Sequence, residues 1–198
     1  MQNPSSPPIV LASSSRYRRS LLDRFLDDFE TVDPDTDESQ LADEAPETMA
    51  ARLARSKAEA GARTLRDPAL VIGADQIAVL DRKILGKPGN HSAAVEQLLA
   101  ASGHSVRFLT SVCLLETAER RRLEHVDETI VRFRRFDRRL AEAYLRRDEP
   151  YDCAGSFRIE GAGFVLFESV RTEDPTALVG LPMIWLAGRL LELGYLLP

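Results

Sequence analysis

The sequence predicts an α/β fold with a mixed central β-sheet flanked by helices. Three observations carry the prediction. Short apolar runs alternate along the chain with segments of helical periodicity, one apolar run leads into a hairpin, and two long strand-like segments follow each other across a polar turn. Crossover connections favour parallel pairing, whereas the hairpin and the tight turn demand antiparallel pairing, so the sheet is expected to be mixed.

Taken in order, "PIVLA" (8–12) is bounded by prolines and serines and is too short for a buried helix, so it reads as a buried strand. Leu21, Leu22, Phe25 and Leu26 then recur at helical spacing, which predicts a helix beginning soon after Ser15 and running to about Leu26. "FETV" suits a second strand. The stretch 33–47 is acidic, carries two prolines and has little to bury, so it is expected as an exposed loop. Residues 48–62, rich in alanine and charge, predict a helix.

The segment 69–90, "ALVIGADQIAVLDRKILGKPGN", reads as a buried strand entering a hairpin, with Asp81 and Arg82 near the turn and Gly86 and Pro88 closing it. A short amphipathic helix over 92–101 stops at Gly103. "HSVRFLTSVCLLE" and "LEHVDETIVRFRRF" are the two long strands, and Asp137 is placed to cap a helix through Leu145. Glycines punctuate 151–163, 164–170 is strand-like, and 182–193 predicts a last helix with proline at its start and Gly194 just beyond it.

With 198 residues, of which 44% are hydrophobic and 29% charged, the chain has enough apolar material for one sizeable core and is expected as a single domain over 1–198. A net charge of -5 argues against a broad basic face for nucleic acid, so any anion site has to be local. Cys113 and Cys153 have no CxxC spacing, which points to a reducing, cytoplasmic setting. "MQNPSSPP" is unlike a leader peptide, and no membrane-length apolar run is present. The sequence leaves open whether the chain forms a homodimer.

Asp75 interrupts "VIGADQIAVL", where a carboxylate is costly to bury unless it is paired, bound to metal or facing a cleft. Its alternative is a strand-end residue bonded to neighbouring backbone. Lys57, Lys83 and Lys87 are the only lysines among 26 basic residues, and a lone lysine can mark a phosphate contact or simply sit in solvent. Glu38, in the acidic loop, either keeps that loop hydrated or joins Asp75 in holding magnesium or manganese. The crowd of Ser13, Ser14, Ser15, Arg16, Arg18 and Arg19 at a strand-to-helix junction offers hydroxyls, guanidiniums and a helix N-terminus to an anion.

The ordered set "LASSSRYRRSLL", "DTDES", "GADQ", "GKPG", "AGSFRIEG" and "LVGLP" resembles the Maf family of nucleoside triphosphate pyrophosphatases across nearly the whole chain. The resemblance implies a Maf/ITPase-like fold with two lobes around a deep cleft. It also implies a divalent metal cation (Mg2+ or Mn2+) and a small-molecule nucleotide substrate cut to monophosphate and pyrophosphate. Carried over by motif, the general base falls on Asp75, the phosphate-side positions on Ser13, Arg18, Lys57 and Lys87, and an acidic position near the metal on Glu38.

Three further positions, Tyr17, Gln76 and Glu160, resemble the branch that acts on 7-methyl-GTP rather than the branch acting on dTTP and UTP. An aromatic face suits the cationic methylated base, Glu160 can accept from guanine's N–H groups, and Gln76 offers one donor and one acceptor. Equally, Tyr17 can be a helix-start core residue and Glu160 a loop carboxylate. Arg16 stands where the family usually has proline, and Tyr17 where it usually has tryptophan. The alternatives left open are a dTTP/UTP or other noncanonical nucleotide pyrophosphatase, and a nucleotide-binding regulator without turnover.

Overall fold

The computed structural model describes residues 6–197. Residues 1–5, part of the stretch read above for a leader, lie outside the described residues. Among the described residues seven strands form one open sheet in the order β2-β1-β3-β5-β6-β7, with β4 paired to β3. They are β1 (Ile9–Ala12), β2 (Glu30–Val32), β3 (Leu70–Leu80), β4 (Lys83–Leu85), β5 (Ser105–Glu116), β6 (Arg121–Phe133) and β7 (Phe167–Arg171). Strand β1 pairs parallel with both β2 and β3, while β4 on β3 and β7 on β6 are antiparallel, so the sheet is mixed as expected. Five α-helices accompany it among the described residues: α1 (Arg16–Leu22), α2 (Pro46–Arg63), α3 (His91–Ala101), α4 (Arg138–Asp148) and α5 (Met183–Glu192). Among the described residues no helix is long and apolar enough to cross a membrane.

The chain divides into two compact units. The first comprises the residues up to Asp75, Thr110–Asp127 and those from Asp174 onward; the second comprises Gln76–Leu109 and Glu128–Glu173.

The first unit has apolar layers on both faces of its strands, because successive strand residues point to opposite sides. Leu70, Ile72 and Ala74 of β3 join Ile9 and Leu11 of β1 in a cluster with Leu21 and Leu22 of α1 and Leu186 and Leu190 of α5. Val10, Ala12 and Val71 pack on the other face against Ala54 and Ala58 of α2. That second face allows a very close approach of helix to strand. A Cβ placed on Gly73 would overlap the backbone carbonyl of Ala54 and the backbone nitrogen of Ala58, so α2 can lie where it does only if residue 73 has no side chain.

In the second unit Phe108, Phe133, Phe157 and Phe167 meet edge to face, with Phe157 and Phe167 ring centres 4.8 Å apart. The loop before α3 is clamped by Tyr151, whose carbonyl accepts from the Gly89 N–H at 3.0 Å and whose hydroxyl meets His91 Nδ1 at 2.9 Å.

The expected elements are present, with shifted ends. Helix α1 stops at Leu22 instead of reaching Leu26, because the chain turns at Asp23, yet Leu26 is still buried. The interval 164–170 is not all strand: Gly163–Leu166 forms a 3-10 turn, and β7 begins only at Phe167. Helix α4 continues past Leu145 to Asp148, starting from an Asp137 cap that accepts the Leu140 N–H at 3.0 Å.

Gly73→Ala is expected to lower the unfolding free energy by about 1–3 kcal/mol, the usual scale for overpacking a filled interface. Denaturant midpoints compared with those of wild type check this, and an unchanged midpoint would show that α2 can move away freely.

Candidate functional site

The close seating of α2 has a direct electrostatic result. Lys57, on the face of α2 that carries Ala54 and Ala58, is turned toward β3, and Asp75 lies two residues beyond Gly73 on the same side of that strand. Both residues are buried, at 6% and 7% exposure, and Lys57 Nζ donates to Asp75 Oδ1 at 2.6 Å. The same ammonium lies 2.5 Å from Glu38 Oε1, which approaches from the acidic loop and is half exposed. One cation therefore holds two carboxylates at a single point.

The acidic loop is anchored to α2 a turn earlier. Arg52 forks onto Glu44, with Nε at 2.6 Å from Oε1 and Nη2 at 2.7 Å from Oε2, and also donates to the carbonyl of Ser39 beside Glu38 at 2.9 Å. Hydrogen bonding from Arg52 holds the Glu44 carboxyl below its ordinary range. A lowered carboxyl pKa means that the clamp is complete above the ordinary value and is lost only as pH falls through the folded-state value.

Beside the carboxylates stands Arg18. Its Nε donates to the carbonyl of Gly180 at 3.1 Å, and its Nη1 donates to Ser13 Oγ at 3.3 Å. Desolvation draws the guanidinium pKa down, with Asp75 and Glu38 pulling the other way, and arginine stays charged throughout. Ser13 is buried and also accepts the Ser15 N–H at 3.2 Å.

The strand-to-helix junction thus brings the side chains of Ser13 and Arg18 together. Helix α1 has seven residues, and its Arg18 N–H is already capped by Ser15 Oγ at 3.4 Å. So short a helix adds little dipole.

Ser13, Arg18, Glu38, Lys57 and Asp75 are thus gathered within the first unit. Their two cations balance their two carboxylates. Glu38 and Asp75, both in contact with Lys57 Nζ, are the two carboxylates of the cluster that would offer oxygen ligands to a divalent cation. Among the described residues no group of three or more His, Cys, Asp or Glu side chains could hold a metal unaided. A hard cation on Glu38 and Asp75 would therefore complete its shell with water or phosphate oxygens, the usual habit of magnesium.

The remaining predicted residues are distributed differently. Tyr17 belongs to the first unit, and its ring face is covered by Arg16, whose Cζ lies 4.8 Å from the ring centre while Nη2 donates to the Tyr17 hydroxyl at 2.8 Å. Gln76, Lys87 and Glu160 belong to the second unit. Gln76 is half-buried on β3, facing opposite to Asp75; Lys87 is exposed in the loop before α3; Glu160 is exposed in the loop after the 3-10 turn Ala154–Ser156.

Two features were missed from sequence. The Arg52–Glu44 fork joins residues eight apart across a loop, a spacing with no periodic signature. Gly180 stood in a noted motif without a role, because a backbone acceptor leaves no side-chain signal.

Fold and site define an α/β protein with a charge-balanced cation–carboxylate cluster on one strand and one helix. The chain belongs to the Maf-like family, whose description "Maf-like protein" matches residues 8–193. A protein of Nitrosococcus oceani named 7-methyl-GTP pyrophosphatase is 47% identical over 196 residues, covering 98% of each chain. One of Pseudomonas aeruginosa with the same name is 50% identical over 192 residues, covering 97% of this chain and 100% of the relative. A third, from Cupriavidus metallidurans, is 46% identical over 195 residues, covering 98% of each chain.

Removing Lys57 leaves Asp75 buried without its main counter-charge. Lys57→Met is expected to cost about 3–5 kcal/mol of stability, and adding Asp75→Asn to restore most of it, since a broken buried pair costs far more than an absent one. Chemical denaturation of the three variants checks this; additive losses would contradict the pairing.

Proposed function

We propose that this chain is a nucleoside triphosphate pyrophosphatase that hydrolyses 7-methyl-GTP to 7-methyl-GMP and pyrophosphate, working as a single Maf domain over residues 1–198 in the cytoplasm. The observation that carries the reading is the convergence of Asp75 and Glu38 on Lys57, with Arg18 and Ser13 alongside. The relatives' shared name supports the substrate, and two free cysteines accord with a reducing compartment.

In this reading Asp75 accepts a hydrogen bond from a water, aims its oxygen at the α-phosphorus and takes its proton. The new bond joins that oxygen to the α-phosphorus, and the bond from the α-phosphorus to the α,β-bridging oxygen breaks. Pyrophosphate leaves and the proton passes to solvent. Arg18, with Ser13 beside it, and Lys57 meet phosphate oxygens as charge shifts onto the leaving group. Glu38 and Asp75 would hold a divalent cation such as Mg2+ or Mn2+, which when bound supplies charge neutralisation at the phosphates.

For Lys87 on the phosphate side, and for Gln76 and Glu160 at the base, the reading rests on the family motifs in which they stand. Tyr17 is offered to the cationic base on the strength of its ring face. The cover of Arg16 over that face gives specific weight to a second reading, in which the chemistry is the same but the base is that of dTTP, UTP or another noncanonical nucleotide.

Three outcomes are expected. Pyrophosphate release assayed on 7-methyl-GTP, GTP, dTTP and UTP at equal concentration should be fastest on 7-methyl-GTP, and Asp75→Asn should lower that turnover by roughly a hundredfold or more. A preference for dTTP refutes the base assignment, and full activity in Asp75→Asn removes the mechanism. Arg16→Ala, by uncovering Tyr17, should increase the preference for 7-methyl-GTP over GTP by several-fold, the scale of about 1 kcal/mol for a cation on an aromatic face. An unchanged ratio would show that Tyr17 does not meet the base.

A further inference from the structure

The segment 174–182, which contains the motif "LVGLP", is tied down more firmly than a connection into a helix requires. Asp174 is 4% exposed and its carboxylate accepts twice from backbone: Oδ1 from the Thr176 N–H at 2.9 Å and Oδ2 from the Ile184 N–H at 2.6 Å. The Thr176 hydroxyl lies 2.5 Å from Asp174 Oδ1 and 2.9 Å from the Leu181 carbonyl, and accepts the Met183 N–H at 2.9 Å. The segment therefore closes back on itself at the first turn of α5. Its middle is fixed separately, because Thr110, fully buried on β5, donates its hydroxyl to the carbonyl of Ala177 at 2.9 Å.

What this strap presents is the carbonyl of Gly180, which receives Arg18 Nε at 3.1 Å. Gly180 has φ +132°, a conformation that side chains rarely adopt, and a Cβ there would stand 3.4 Å from both Cγ and Nε of Arg18. A rigid acceptor on one edge and Ser13 Oγ on the other set the plane of the guanidinium. Its remaining N–H groups are the ones a phosphate oxygen would take.

We propose that Asp174 and Thr110 are positioning residues: they hold the 174–182 strap rigid so that its Gly180 carbonyl orients Arg18 for the phosphate chain of the substrate. The inference rests on the phosphate role given to Arg18 above. Neither residue touches the reacting atoms. Each acts through Arg18, and the cost of losing either is the lost pre-organisation of that one side chain.

A double-mutant cycle separates this from a purely structural role. In full-length protein, Asp174→Asn should lower kcat/KM for 7-methyl-GTP by on the order of tenfold and weaken inhibition by inorganic pyrophosphate similarly, a size expected for a misplaced phosphate contact. In the Arg18→Ala background the same substitution should change either quantity less than about twofold, because the group it positions is gone. Thr110→Val, which keeps the buried volume, should repeat the pattern and stands in if Asp174→Asn does not fold. The inference is overturned if either substitution keeps its full effect without Arg18, or has no effect with it. Should Arg18→Ala alone leave both turnover and pyrophosphate inhibition at wild-type values, the phosphate role of Arg18 falls and this inference with it.

Discussion

The seating of helix α2 directly on β3 is the constraint from which the rest of the site follows. A helix face of small residues, Ala54 and Ala58, meets a strand that has no side chain at Gly73, and the backbones come close enough that a lysine one turn along reaches a carboxylate two strand positions along. Neither charge is tolerable alone in that place. An isolated buried ammonium or carboxylate carries a desolvation cost of several kcal/mol, so Lys57 and Asp75 require each other, and the half-exposed Glu38 completes the pair from outside. The hydrophobic layers and the polar cluster are thus consequences of one packing decision.

Much of the fold was legible because it rests on periodicity. Strands β1, β3, β5 and β6 and helices α2 to α5 announce themselves through apolar spacing, alanine and charge content, an aspartate or a proline at a helix start, and glycine near helix ends. The shifted ends at Leu26 and at 164–166 have a common cause. Leu26 and 164–166 are apolar and periodic, and both lie beside turns whose geometry is set by backbone hydrogen bonds at Asp23 and Ala162. Burial of Leu26 alone satisfied the pattern without requiring a helix.

The chemistry-bearing residues were legible one by one through their unusual settings: a carboxylate within an apolar strand, a rare lysine in an alanine-rich helix, an acid in a motif-bearing loop. Their mutual approach was not, because Lys57 and Asp75 are joined by a helix-on-strand contact with no sequence period, and Glu38 is brought in by Arg52 acting at a distance along the loop. The backbone of Gly180 was invisible for a simpler reason, since carbonyls are common to every residue. Tyr17 illustrates a different gap: the sequence showed an aromatic and a neighbouring arginine, and only the structure showed the arginine lying on the ring.

Charge balance sets the remaining requirement. In the proposed reading a divalent cation held by Glu38 and Asp75 would add positive charge for the triphosphate beside that of Arg18 and Lys57. Titration of Mn2+ by electron paramagnetic resonance, in the presence of a nucleotide with a methylene between its α- and β-phosphorus, tests this most directly. The account predicts that Glu38→Gln and Asp75→Asn each weaken Mn2+ binding by roughly tenfold or more, the loss expected for one charged ligand. Wild-type affinity in both variants would contradict it.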